Sequence, residues 1–287
     1  MAVPPSPGPP PTSVGLAGLG NLGRPLAGTL VRAGWDVAVH DVVPGRADPV
    51  VALGATAVPD AAALAERDVL VLAVPDDAAV EQVLETYLAV ERPGRAVVVH
   101  STVLPQTATR LAELAAGHGV DLLDAPVSGG AERADDGTLT VMVGGAEAAL
   151  QRLRPLLDAV GDPVLHVGPV GAGAAAKLAN QLTMFANLAG VYEAIDFAAA
   201  HGVATDELLT ALETSLGDSW IARNLDFWDR TATAYDESGT PVRDRPWSKD
   251  LAEVVQAARA ADVPVPLAGW LAQTLAARVE ARGGPAR

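Results

Sequence analysis

Only two of the 20 basic side chains in this chain of 287 residues are lysine, Lys177 and Lys249; the other 18 are arginine. Arginine keeps its proton, whereas an amine can release one, so a chain that carries nearly all its positive charge on arginine singles out its lysines as candidates for proton transfer. Lys177 stands in GPVGAGAAAKLANQ, residues 168–181, which reads as a glycine-rich entry to a helix. Asn180 and Gln181 follow three and four residues later, so the three side chains project from one helix face. Lys-x-x-Asn alone is also an ordinary solvated face; its place straight after the glycine-rich join points to chemistry. To act as a base near neutral pH the amine must titrate below its ordinary value of about 10.4, and partial burial near a helix N-terminus pushes it that way.

Two other segments offer backbone chemistry. Residues 124–145 read DAPVSGGAERADDGTLTVMVGG, in which Ser128, Gly129 and Gly130 form either a β-turn or a small nest of N–H groups and a hydroxyl suited to a carboxylate. Nearer the start, Gly18-x-Gly20-x-x-Gly23 follows an apolar run and opens a helical one, the context in which this spacing binds a dinucleotide. Gly18 permits the tight turn, Gly20 lets backbone amides approach a pyrophosphate, and Gly23 lets the helix pack on the strand. Asp41 lies 18 residues beyond Gly23, where a carboxylate accepts from ribose hydroxyls and repels a 2′-phosphate. NAD is therefore expected over NADP, with Arg46 either a surface residue or a partial offset. The histidines at 40, 118, 166 and 201 show no metal-ligand spacing, and His100 reads as a capping or structural residue.

These groups need a scaffold, and residues 14–160 alternate short apolar runs with helical stretches, the signature of βαβ units. Strands are expected at 14–17, 36–40, 69–74, 96–100, 120–123, 139–143 and 164–167. Helices are expected at 24–33, 61–67, 78–88 and 107–117. After Gly173 strand-like runs give way to Ala/Leu-rich helical patterns, beginning with an unusually long one over 174–201. The expected architecture is an α/β Rossmann-type doubly wound parallel sheet followed by an all-α C-terminal domain, joined by a long interdomain helix. Its divisions are a Pro-rich disordered extension over 1–12, a dinucleotide-binding domain over 13–170, and a helical substrate and oligomerisation domain over 171–287. Residues 231–247, polar and broken by Gly and Pro, read as a mobile or plain surface loop.

Composition narrows the function classes. Hydrophobic residues make up 49% and charged residues 19%, as in a globular protein. Zero Cys excludes thiolate catalysis and Cys-ligated metals. A net charge of −15, with neither half basic, argues against nucleic acid. No apolar run is long enough for a membrane span, and the start lacks the basic and apolar regions of a signal peptide, so a cytoplasmic enzyme is the expectation.

Four motifs in order, GLGNLG at 18–23, DAPVSGG with GTLTVMVGG at 124–145, GAGAAAK at 171–177 and SKDLAEVVQAARAADVPVPL at 248–267, resemble the β-hydroxyacid dehydrogenase family over nearly the whole chain. The resemblance implies an NAD(P)-dependent oxidoreductase that interconverts a small β-hydroxy acid and its semialdehyde or keto acid by hydride transfer. It implies Lys177 as the general acid/base and Ser128, Gly129 and Gly130 as the carboxylate site. It further implies cofactor contacts from Asn21 and Leu22 in the glycine turn, from Val74 and Pro75 on the adenosine side, from Thr102 near the nicotinamide ribose, and from Lys249. Relatives carry Met where Leu22 stands, often Asp where His100 stands, and a second Asn where Gln181 stands, so Asn180 and Gln181 are expected to bind the substrate, with its size or polarity in question. Trp220 and Asn224 either line the substrate pocket or pack as ordinary residues. Apolar stretches such as 267–275 suggest a homodimer or homotetramer, as in relatives. Alternatives are a same-fold imine or bulkier ketone reductase, although imine-reducing relatives usually lack the helix lysine, and a non-catalytic NAD-binding sensor. A decarboxylating 6-phosphogluconate dehydrogenase would need a larger helical domain.

Overall fold

The structure, a computed structural model, describes residues 12–91 and 93–283. Of the expected Pro-rich extension only Thr12 falls within them. Two compact units divide between Lys177 and Leu178.

In the first unit six strands are built from Val, Leu and Ala runs: β1 (Ser13–Ala17), β2 (Asp36–His40), β3 (Thr56–Ala57), β4 (Val69–Leu72), β5 (Ala96–Val99) and β6 (Asp121–Asp124). They pair in parallel in the order β3-β2-β1-β4-β5-β6. Such runs have no polar face because helices cover both sides of a parallel sheet. Val69, Val71 and Val98 face a core shared with α1 (Gly23–Arg32) and α6 (Glu147–Val160), while Leu70, Leu72, Val97 and Val99 face one shared with α3 (Asp77–Leu88) and α4 (Pro105–Ala116). The short α2 (Asp48–Val51) follows β2, and the helix expected at 61–67 is a 3₁₀ turn, Ala62–Glu66. Asp68 at the foot of β4 accepts from Thr12 N at 3.0 Å and Ser13 N at 3.2 Å, which fixes where β1 begins; the Thr12 amide is the main reason its carboxyl sits below the usual range.

Past β6 the sheet departs from the all-parallel expectation. The two-residue β7 (Val127–Ser128) and β8 (Leu139–Gly144) pair antiparallel, with α5 (Gly130–Asp135) between them, and β8 is also antiparallel to β6. Residues 129–138 are too few for a parallel crossover, which takes a dozen or more, so the chain reverses instead. β9 (Gly161–Gly168) then pairs in parallel with β8.

The long helix is α7 (Ala172–Ala200), 29 residues that begin in the first unit and end in the second. The second unit continues with α8 (Thr205–Glu213), α9 (Trp220–Arg223), α10 (Leu225–Glu237), α11 (Pro246–Ala260) and α12 (Pro266–Gly283) around Phe185, Tyr192, Trp228, Trp247 and Leu271. The loop expected over 231–247 is largely ordered structure. Its first half completes α10, with Ala232 buried and Tyr235 edge-on to Trp247 at 5.5 Å between ring centroids. Its second half is gathered by Arg245, whose buried guanidinium pairs with Glu280 at 2.6 Å and Asp236 at 2.7 Å and donates to Thr240 O. Composition alone hid this, because the apolar anchors of the segment are few and its cation is paired with residues far along the chain.

His100, just past β5, is buried, and its Nδ1 lies 2.6 Å from Ala125 O. A carbonyl only accepts, so Nδ1 carries the proton and ties the end of β5 to the segment after β6. Burial pushes this imidazole down to about 4, with the carbonyl contact opposing. An unfolded histidine takes up its proton below about 6.5, while the folded one refuses it until the pH nears 4, so stability falls across that window as pH drops. Urea unfolding from about pH 7 to about pH 5 is expected to cost the wild type about 2 kcal/mol more than a His100→Gln variant. Equal losses in the two proteins would show that His100 titrates normally.

Candidate active site

Each unit carries its own share of the singled-out residues. In the first, the glycine turn joins β1 to α1. Gly18 has φ +92°, its N–H donates to His40 O at 2.9 Å, and a Cβ there would strike Ala73 O. Gly23 opens α1, and a Cβ on it would collide with Gly18 O. A Cβ on Gly20, by contrast, would meet nothing within 4 Å. Two glycines thus hold the turn tight, and the third leaves free space over backbone amides at a helix start, which fits a pyrophosphate. Asn21 is exposed and Leu22 half-buried beside it.

Asp41, next to the end of β2, is bound into this turn. Its side chain, 5% exposed, accepts from Leu19 N at 2.7 Å and Val43 N at 2.8 Å and faces Arg46 Nη1 at 3.4 Å. The carboxylate therefore shapes the loop as well as charging it, and Arg46, exposed at the surface, is its ion-pair partner. Past β4 the Val74 amide donates to Ser101 Oγ at 2.9 Å, binding the end of that strand to the segment after β5. Pro75 is exposed and Thr102 half-buried on these two segments.

Asp124 closes β6 and is fully buried. Its Oδ1 accepts from Gly171 N at 2.9 Å and its Oδ2 from Ala174 N at 2.8 Å, the amides that open α7. Burial pushes its carboxyl up, and the bonds from Ala174 and Gly171 work against that. Lys177 follows Ala174 by three residues, 9% exposed. Four residues after Asp124 comes Ser128, half-buried at the end of β7; Gly129 has φ +140° and Gly130 φ +73°. That backbone is open to glycine and strained for other residues.

In the second unit α7 carries Asn180 and Gln181. Gln181 is buried, its Nε2 donates to Asp250 Oδ2 at 2.5 Å, and its Oε1 accepts from Asn180 Nδ2 at 3.1 Å. The Gln181 amide thus joins α7 to α11 and is bonded to its neighbour Asn180. On α11, Lys249 Nζ lies 2.6 Å from Glu253 Oε1 and 3.8 Å from Asp250 Oδ1. Trp220 is 56% exposed and meets Phe227 edge-on at 5.4 Å. The Asn224 amide donates to Trp220 O at 2.8 Å.

Asp124, Ser101, Asp250 and Glu253 were not singled out in the sequence. Asp124 had the clearest signal, an acidic residue ending the apolar run LLD ahead of the Ser-Gly-Gly turn. Among the described residues no cluster of three His, Asp or Glu could hold a metal, and no helix is long and apolar enough to cross a membrane.

A family model described as the NAD binding domain of 6-phosphogluconate dehydrogenase matches residues 13–168, and one described as NAD-binding of NADP-dependent 3-hydroxyisobutyrate dehydrogenase matches residues 171–287. The chain is 34% identical to an NAD-dependent L-serine dehydrogenase of Pseudomonas aeruginosa, covering 91% of this chain and 90% of that protein. It is 37% identical to an L-threonate dehydrogenase of Escherichia coli, covering 89% and 85%. Among solved structures it is similar to a Mycobacterium tuberculosis 3-hydroxyisobutyrate dehydrogenase with L-serine, at TM-score 0.81 and 31% identity over 94% of each chain. The chain belongs to the β-hydroxyacid dehydrogenase family and is an oxidoreductase whose cofactor is NAD or NADP.

Proposed function

We propose that the chain oxidises a small β-hydroxy carboxylic acid to its semialdehyde or keto acid, or runs the reverse reduction, with Lys177 as general acid/base. The observation that carries this reading is Lys177 itself, a buried amine near the start of α7 in a chain whose cations are otherwise arginine save one. Bound NAD(P) supplies the hydride acceptor for oxidation and the donor for reduction. As the substrate C–H bond breaks and its C=O bond forms, Lys177 Nζ takes the hydroxyl proton; in reduction it returns it.

The other residues hold the reactants. Ser128 Oγ and the N–H groups of Gly129 and Gly130 take the substrate carboxylate, since a bend built on positive φ turns consecutive amides to one side. Asn180 and Gln181 bind the substrate beside Lys177, with Gln181 held by Asp250 and bonded to Asn180. Trp220 borders the variable end of the substrate. The turn from Gly18 to Gly23, with Val74, Pro75, Thr102 and Lys249, holds the cofactor. We assign dinucleotide binding to residues 13–170 and substrate selection and self-association to 171–287. Half-exposed Leu267 and Trp270 on α12 support association as a homodimer or homotetramer. The names of the relatives, which specify L-serine and L-threonate, favour small hydroxy acids as the first compounds to test.

The reading is tested by following cofactor reduction across L-serine, L-threonate, 3-hydroxyisobutyrate and similar acids, with NAD and NADP in parallel. One acid is expected to stand out; silence across the set in protein that still binds NADH would overturn the reading. In the active pair, Lys177→Ala is expected to lower kcat by about 10²- to 10⁴-fold, the usual contribution of a positioned acid/base, with NADH affinity retained. Full turnover in that variant would remove Lys177 from the mechanism. Asp41→Asn is expected to shift the kcat/KM ratio about tenfold toward NADP, as the loss of a carboxylate worth about 1.4 kcal/mol of discrimination would do. An unchanged ratio would mean that Asp41 serves the loop and not cofactor choice.

A further inference from the structure

Asp124 is the one acidic side chain in the described structure with no exposed surface, and its two oxygens grip the amides that open α7. The surrounding sequence is shaped to allow it. A Cβ on Gly144 would collide with Asp124 Oδ1, and a Cβ on Gly173 would collide with Asp124 O and come within 2.9 Å of its Oδ2. Gly171, which donates the first bond, has φ +90°. Glycines from VMVGG and GAGAAAK are therefore there so that backbone can close on this carboxylate. The same residue heads the segment that ends in Ser128, so its backbone leads into the turn while its side chain holds the start of the helix that carries Lys177.

We propose that Asp124 is a positioning residue for catalysis: it holds the first turn of α7, and with it Lys177, in register with the Ser128–Gly129–Gly130 turn. It touches no reactant and acts through the helix start. The proposal rests on the assignment of Lys177 as acid/base. Lost grip on one amide lets the helix start drift, and displacement of a reacting group by about 1 Å can cost about 10²-fold in rate.

Asp124→Asn keeps the side-chain volume and one acceptor but turns an NH₂ toward the second amide. Asp124→Ser keeps a single helix-capping acceptor and serves where the first variant does not fold. The control is Asp68→Asn, which neutralises a carboxylate of which a single oxygen accepts from two backbone amides at the opposite end of the strands. Turnover is counted per NADH-binding site by fluorescence titration, so that loss of folded protein does not register as loss of kcat. Both Asp124 variants are expected to bind NADH as the wild type does and to lose about 10- to 100-fold in kcat per site, more than any rise in substrate KM. Asp68→Asn is expected to unfold more readily and to keep wild-type kcat per site. Wild-type kcat per site in a folded Asp124 variant, or an equal loss in Asp68→Asn, would overturn the proposal. A wild type silent on every hydroxy acid would instead remove the functional reading beneath it, and the proposal with it.

Discussion

A carboxylate can stay inside a protein only where fixed donors face it, and the donors that face Asp124 are the opening amides of α7. That single requirement organises the end of the sheet. It brings glycine-rich backbone against β6 and β8, it fixes where a 29-residue helix begins, and it seats Lys177 one turn into that helix. An amine on a long flexible stem has little positional value unless its helix is fixed, and a helix start is the part most prone to fray. Asp124 counters fraying at the place where it would matter for proton transfer, and the partial positive charge of the helix N-terminus in turn stabilises the buried carboxylate.

The same economy governs the cofactor end of the sheet. Asp41 shapes the glycine turn through the Leu19 amide and carries the charge expected to select among ribose substituents. Ser101 joins the ends of β4 and β5 by accepting from Val74, and His100 joins β5 to the residues after β6 through Ala125 O. Each of these side chains crosses between neighbouring strand ends, where ladder hydrogen bonding stops and backbone groups need other partners. The C-terminal edge of a parallel sheet is thus a place where polar side chains are needed for structure and can be turned to chemistry.

Much of this was readable in the sequence because it rests on local rules. The expected strands at 14–17, 36–40 and 96–100 are β1, β2 and nearly all of β5, since continuous Val/Leu/Ala runs bounded by Gly or Pro leave few other structures. The glycine turn was legible from its spacing and surroundings, and the lysines from their rarity. What escaped depends on distant partners. The antiparallel entry of β8 follows from a short connection whose role shows only in space. The bond from Gln181 Nε2 to Asp250, 69 positions on, is announced by no local spacing. Residues 231–247 read as a loop because their order depends on Arg245 meeting Glu280 on another helix. Asp124 itself looks like a strand-end acid, and its meaning appears only when the amides of 171 and 174 arrive.

The proposed reaction requires direct transfer of hydrogen from substrate carbon to cofactor at a site organised around Lys177. The most direct test is to supply the preferred hydroxy acid with deuterium on its carbinol carbon and weigh the reduced cofactor. Deuterium recovered in the NADH or NADPH, retained in light water, is the result this account predicts. Reduced cofactor without label, or an active enzyme whose substrates include no hydroxy acid, would contradict it.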